Sequence, residues 1–208
     1  MENNDEQATL RQDIYLLLAS LFRQVPPQEL ITFLADLDIE SSESAMQQAW
    51  LALKQAAKES DQESLEDEYQ NLFIGIGRGE VMPFGSWHMA GALMEKPLAQ
   101  IRHDLELLGF ERADQVKEPE DHIAALCEVM AMLSEEEVGT QQVFFNKHLA
   151  PWFEPLAKQI EQAKNANFYL SVAQLLRAFC TLEQVQFSQN VKSKTHFKID
   201  VKNVTEYE

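Results

Sequence analysis

Glu118-Pro119-Glu120-Asp121-His122 runs without a break into Ile123, Leu126, Cys127, Met130 and Leu133. Those apolar residues recur at the spacing of one helix face. Pro119 suits the first position of a helix, where its absent N–H is not missed and its fixed φ already fits. Glu120 and Asp121 then fall in the first turn, where free amides and the positive end of the dipole favour anions. The stretch therefore predicts a helix beginning at Pro119, with three carboxylates and one imidazole gathered at an exposed end. A well-capped helix accounts for the proline and the acids. It does not account for the imidazole.

The same period recurs on both sides of this stretch. Leu10, Ile14, Leu17, Leu18 and Leu21 make a stripe that stops at Pro26-Pro27, and Leu30, Phe33, Leu34 and Leu37 make a shorter one. Ser41-Ser42 is the expected cap of a helix facing inward through Met46, Trp50 and Leu53. Ser60 with Glu63 has the form of a capping box. It opens a helix with Leu65, Tyr69, Leu72 and Phe73 on one side and Asp61, Glu63, Glu66, Asp67 and Glu68 on the other. Ser86 is expected to cap a helix through Trp87 to Met94, and Pro97 restarts the pattern through Leu98, Ile101, Leu105 and Leu108. Gly109 ends it in the left-handed conformation that glycine favours. Pro151 kinks or divides the helix that carries Val143, Phe144 and Leu149 on one side and Trp152, Phe153, Leu156 and Ile160 on the other. A last stripe contains Tyr169, Val172, Leu176, Phe179 and Cys180.

Seven glycines and seven prolines in 208 residues leave room for long helical runs, and the fold class expected is all-α. With 45% hydrophobic residues the chain can bury a sizeable core. The polar connection at 111–118 is the expected boundary between an N-terminal helical unit, 1–118, and a smaller C-terminal unit, 119–187. Residues 188–208 form a tail whose Lys192, Lys194, Lys198 and Lys202 outnumber its acids and whose Phe197, Ile199 and Val201 alternate as in a strand. A short connection also allows the C-terminal unit to exchange between two chains, an inexpensive route to a homodimer.

The net charge of −17 argues against nucleic acid and anionic membranes, both of which need a basic face, and favours a cationic partner. Cys127 and Cys180 lie on apolar faces and have no metal-binding spacing, which fits reduced core thiols in a cytoplasmic chain. No basic, apolar leader opens the sequence, and no window approaches the roughly 18 apolar residues of a membrane span.

Three chemistries deserve weighing. Gly75-Ile76-Gly77-Arg78-Gly79 could bring amides to a phosphate. It follows a helix rather than a strand and lacks the lysine of a P-loop, so a flexible surface loop with weak anion contact at Arg78 is the simpler reading. His88, His103, Asp104 and Asp121 are the residue types of a helical metal-dependent phosphohydrolase. However, His103 and Asp104 lie between the core positions Ile101 and Leu105, where a solvated pair is ordinary. No nucleophile elbow occurs, so nucleophilic catalysis has no support.

Glu118-Pro119-Glu120-Asp121-His122 resembles the E-P-x-D-H signature of the TorD/DmsD/NarJ family, the cytoplasmic chaperones for maturation of molybdenum-containing reductases. Glu68-Tyr69-Gln70-Asn71-Leu72-Phe73 is similar to that family's aromatic-x-x-Leu-Phe segment, and Pro83-Phe84-Gly85-Ser86 to its Pro-aromatic-x-Ser loop. Order and separation agree over roughly residues 10–185, and the likeness is to the branch serving trimethylamine N-oxide reductase. The resemblance implies a non-catalytic chaperone that binds the twin-arginine signal peptide of a reductase precursor, delays its export and keeps it open to molybdopterin insertion. It implies no required cofactor, weak GTP binding, and oligomers that exchange domains. Carried over by motif, Glu118, Pro119, Asp121 and His122 would line the leader site, with Tyr69, Leu72, Phe73, Pro83, Ser86 and Trp87 as its apolar wall. Such leaders join a basic segment to an apolar one, and an acidic rim beside aromatic side chains complements both. Asp121 is expected to take a guanidinium in bidentate fashion, oriented by His122.

Overall fold

Tyr69 and Tyr169 explain how the ends of the chain are brought together. The C-terminal carbonyls of a helix lack intrahelical partners. In the computed structural model, which describes residues 2–76, 78–113 and 115–189, the first helix, α1 (Glu2–Arg23), ends on two phenols. The Tyr169 hydroxyl donates to Leu21 O at 2.7 Å and the Tyr69 hydroxyl to Phe22 O at 3.3 Å. Around them Phe22, Phe73 and Tyr169 meet edge to face, with Phe73 and Tyr169 ring centroids 4.9 Å apart. Such aromatic pairs contribute beyond their buried area.

After α1 come α2 (Gln28–Asp36), α3 (Ala45–Glu59) and α4 (Gln62–Tyr69), which runs into a π-helical turn, Gln70–Ile74. Then follow α5 (Gly85–Ala90), α6 (Lys96–Leu107), α7 (Ile123–Leu133), α8 (Val138–His148), α9 (Phe153–Gln162) and α10 (Phe168–Gln189). The described residues form no strand, only one isolated bridge, between Phe84 and His122. The fold is all-α, as expected. α1 lies along α7, α10 along α3 and α9, and α2 on α3. One continuous hydrophobic cluster thus draws residues from both sides of residue 118.

The inner faces follow the helical period: Ile14, Leu18 and Leu21 are buried, as are Ile123, Leu126, Cys127, Met130 and Leu133. Leu10 and Phe33 sit on the stripes but are each 59% exposed. Gly109 (φ +75°) ends α6, and Pro151 lies in the break between α8 and α9. A buried polar network ties α1 to α10. Arg11 donates to both carboxylate oxygens of Glu183 (2.8 and 2.7 Å) and to Gln141, while the Tyr15 hydroxyl donates to Glu183 Oε2 at 2.8 Å. Cys127 and Cys180 are free and buried, and burial pushes both thiols far above their ordinary pKa.

Several helix boundaries differ from expectation. α3 is capped by Ser44, whose hydroxyl accepts from Gln47 N, rather than by Ser41 or Ser42. The capping box of α4 is Asp61 with Ser64, one residue beyond Ser60 and Glu63; Ser60 instead ends α3, its hydroxyl donating to Ala56 O at 2.8 Å. α5 stops at Ala90, where Gly91 turns left-handed (φ +80°), and does not reach Met94. α7 begins at Ile123, so Pro119 precedes the helix by four residues instead of opening it. Glu68 is not on the solvent side of α4. It is 7% exposed and accepts the backbone N–H groups of Asn167, Phe168 and Tyr169, capping α10 from a hundred residues away. The strand-like alternation at Phe197, Ile199 and Val201 lies outside the described residues.

Candidate functional site

The π-helical turn adds one residue to the end of α4, so Leu72 and Phe73 are rotated inward while the chain reverses at Gly75. Gly75 has φ +61° and donates to Gln70 O at 2.7 Å. The returning strand of chain bonds back, Val81 N–H to Leu72 O at 2.8 Å and Glu80 N–H to Asn71 O at 3.2 Å. A side chain at Gly79 would collide with the Leu72 carbonyl, so this approach requires glycine.

From there Pro83-Phe84-Gly85-Ser86 meets Asp121-His122-Ile123. Ile123 N–H donates to Pro83 O and Gly85 N–H to Asp121 O, both at 2.9 Å, in the antiparallel sense. The side chain of Asp121 closes the clip by accepting Ser86 N–H at 2.8 Å. α5 has no side-chain cap at its own Phe84; Asp121 supplies one from 35 residues downstream. Asp121 is 1% exposed and His122 5%, so the acid and the imidazole are interior, not on an exposed helix end. His122 is itself the N-cap of α7, its Nδ1 accepting from Ala124 N at 3.1 Å. An accepting Nδ1 carries no proton, so the ring is neutral with its hydrogen on Nε2. Burial, followed by the charge of Arg23, lowers its pKa to about 3. Its edge lies against the Phe84 ring, centroids 5.1 Å apart at 78°. Gly85 lets Trp152 approach: a Cβ there would sit 3.2 Å from the indole nitrogen.

Three acids of the pentapeptide therefore play different parts. Asp121 is consumed inside the clip. Glu120 takes Arg102 at 2.8 Å and Arg112 at 3.7 Å. Glu118 remains 46% exposed, opposite Arg23, which also bonds Glu128 at 2.5 Å. Tyr69 lies close by: burial, then the Glu118 charge, raises its phenol to about 12, against the opposing effect of Arg23. Of the apolar wall, Leu72, Pro83 and Ser86 are buried, Tyr69 is 9% exposed, and Phe73 and Trp87 are half-buried. Arg78 covers the Trp87 ring at 4.7 Å. Ser86 Oγ is buried without a hydrogen-bond partner.

Arg23 and Glu128 were not singled out from the sequence, and Glu68 was placed on the solvent side of α4 instead of at the start of α10. Glu128 could have been, as the one charged residue within the otherwise apolar α7.

The residues of the metal-site alternative are dispersed. His88 stacks on Trp152 (5.4 Å, 16°) with Nε2 2.8 Å from Met82 O. Its pKa is lowered by burial, only partly offset by that carbonyl. Asp104 binds Lys147 at 2.5 Å and His148 at 2.6 Å, contacts that outweigh its partial burial and keep it below the ordinary carboxylate range. His103 is exposed, and Asp121 is held by Ser86. No group of three or more His, Cys, Asp or Glu among the described residues is placed to hold a metal ion. The four-residue metal site expected as the alternative does not assemble.

Residues 39–158, which span all three motifs, match the nitrate reductase delta subunit family. The chaperone protein TorD of Vibrio parahaemolyticus is 29% identical over 83% of this chain and 92% of its own. A protein of Haemophilus influenzae assigned as the Tat proofreading chaperone DmsD is 27% identical over 64% and 66%. The fold is shared with a crystal structure from Archaeoglobus fulgidus described as a redox enzyme maturation protein (TM-score 0.56, 23% identity, 84% and 93% covered). The chain belongs to the nitrate reductase delta subunit family, the TorD/DmsD/NarJ group of system-specific chaperones for molybdoenzyme maturation. Among the described residues no helix is long and apolar enough to cross a membrane.

Proposed function

We propose that this chain binds the twin-arginine signal peptide of a molybdenum-containing reductase precursor, of the trimethylamine N-oxide reductase kind. It does so in the cytoplasm, without catalysing a reaction, and holds the precursor back until molybdopterin is in place. The observation that carries the reading is the clip between Pro83–Ser86 and Asp121–Ile123. It sets the half-buried Phe84 and Trp87 on the same framework as Glu118 and Glu128, which are half exposed. An apolar leader segment gains from the aromatic side chains, and its basic segment from the carboxylates.

Asp121 and His122 act in this reading as positioning residues. Both are engaged inside the protein, and their part is to hold Phe84 and the start of α7 in place. Calorimetry with a synthetic leader tests it: wild type binds the twin-arginine peptide, a lysine-for-arginine version binds more weakly, and Asp121→Ala and His122→Ala weaken binding. Unchanged affinity in both folded variants removes the assignment.

A homodimer that exchanges the unit after residue 118 belongs to the same proposal, since the contacts of α1 with α7 and of α3 with α10 would form equally well between chains. Light scattering that finds only monomer at every concentration eliminates it. No cofactor of its own enters the proposal. Weak GTP binding near the Gly75–Gly79 loop is a secondary expectation, checked by equilibrium dialysis.

A further inference from the structure

We propose that Arg23 is an in-chain competitor for the leader: its guanidinium occupies the place between Glu118 and Glu128 that an arginine of the signal peptide takes on binding. The proposal rests on the leader-binding reading above and names the group that regulates that site.

Arg23 is the last residue of α1, and its side chain is only 21% exposed. One end of the fork is well held, Nη2 donating to Glu128 Oε2 at 2.5 Å. The other end is not. Nη1 is buried without any hydrogen-bond partner, and Glu118 Oε2 stands 4.0 Å away. A buried donor left unpaired forfeits its hydration with no return, so this arginine is incompletely satisfied where it sits. Both carboxylates, in contrast, remain nearly half exposed, 46% for Glu118 and 45% for Glu128. They can be reached from solvent and can re-pair without crossing the core.

The position is adjacent to the motif residues. The Arg23 charge acts on the buried His122 ring, and Arg23 and Glu118 act in opposite senses on the Tyr69 hydroxyl. Arg23 therefore links α1, α7 and the stretch before α7 at the border of the clip.

A specificity argument follows from the exchange. The first peptide guanidinium to enter replaces an equivalent group and gains little. Two carboxylates face one resident arginine, so a second guanidinium adds a pair that the free protein lacks. A peptide with one arginine is thus held weakly and a peptide with two is held well. Lysine, which cannot offer a planar two-pronged donor, is a poor substitute for either.

The test uses the full chain, with unfolding followed for every variant, and synthetic peptides carrying two, one or no arginines ahead of the same apolar segment. Arg23→Met is expected to tighten the twin-arginine peptide by about three- to fivefold, the scale of releasing a partly exposed ion pair. It should also narrow the preference for two arginines over one. Arg23→Lys, which keeps the charge, gives a smaller gain and stands in if the methionine variant does not fold. Glu128→Gln weakens binding and abolishes the gain from Arg23→Met. Wild-type protein that ignores the twin-arginine peptide overturns the leader reading itself. Wild-type protein that binds it, while folded Arg23 variants bind equally or more weakly, overturns only the competitor role.

Discussion

The carboxylate of Asp121 accepts the backbone N–H of Ser86 at 2.8 Å, with both residues buried. One hydrogen bond thereby caps α5 and joins two motifs that lie 35 residues apart. Asp121→Ala leaves that amide buried and unpaired and should destabilise the protein by about 2 kcal/mol. Asp121→Asn retains an acceptor and recovers most of the loss. Urea unfolding of the two variants checks this, and equal destabilisation by both would show that the bond is not the cause.

His122 makes stability depend on pH. Its folded-state pKa of about 3 lies below the ordinary 6.5, so the unfolded chain takes up the proton first. The contribution is complete above about pH 6.5 and shrinks as pH falls toward 3. Between pH 7 and pH 5 it should drop by roughly 2 kcal/mol. His122→Asn, which can still accept from Ala124 N, is expected to flatten this part of the profile. Chemical denaturation of both proteins at the two pH values measures the difference.

Glu68 holds the start of α10 by three backbone N–H groups, at 2.8, 3.0 and 2.8 Å. Glu68→Ala strips all three and should cost about 3 kcal/mol, whereas Glu68→Gln keeps an oxygen for part of the set. Hydrogen exchange localises the effect: the amides of Asn167, Phe168 and Tyr169 lose protection first.

Gly75 combines a left-handed backbone with a Cβ direction that runs into the Arg78 carbonyl. Gly75→Ala is therefore strained on two counts, by about 2 kcal/mol. It should also lift Arg78 from Trp87, changing the indole emission. A variant as stable as wild type with an unchanged spectrum contradicts this.

The helices were legible because their cores obey a local period: Ile123, Leu126, Cys127 and Met130 need only one another to define a face. Gly109 and Pro151 act through their own backbone geometry and were equally readable. Asp121 was not. Its acid looked like a first-turn anion, but its partner is the Ser86 amide, and only folding brings that amide within reach. Glu68 was misplaced for the same reason, its three donors being about a hundred residues away. Family likeness picked out two motifs that the fold brings into contact, Pro83–Ser86 and Asp121–His122, yet it gave Asp121 an outward role, whereas the residue is 1% exposed. Arg23 carries no local signal at all: a single arginine at a helix end becomes notable only when Glu118 and Glu128 are seen on either side.

Cys127 and Cys180 sit in the innermost layer, close enough that each electrostatically influences the Tyr15 hydroxyl. Held as neutral thiols, they are inert to alkylation until the interior parts. The pace at which an added thiol reagent labels them is thus a clock for whole-molecule breathing, and any peptide that clamps the helices together should slow it in proportion to its occupancy.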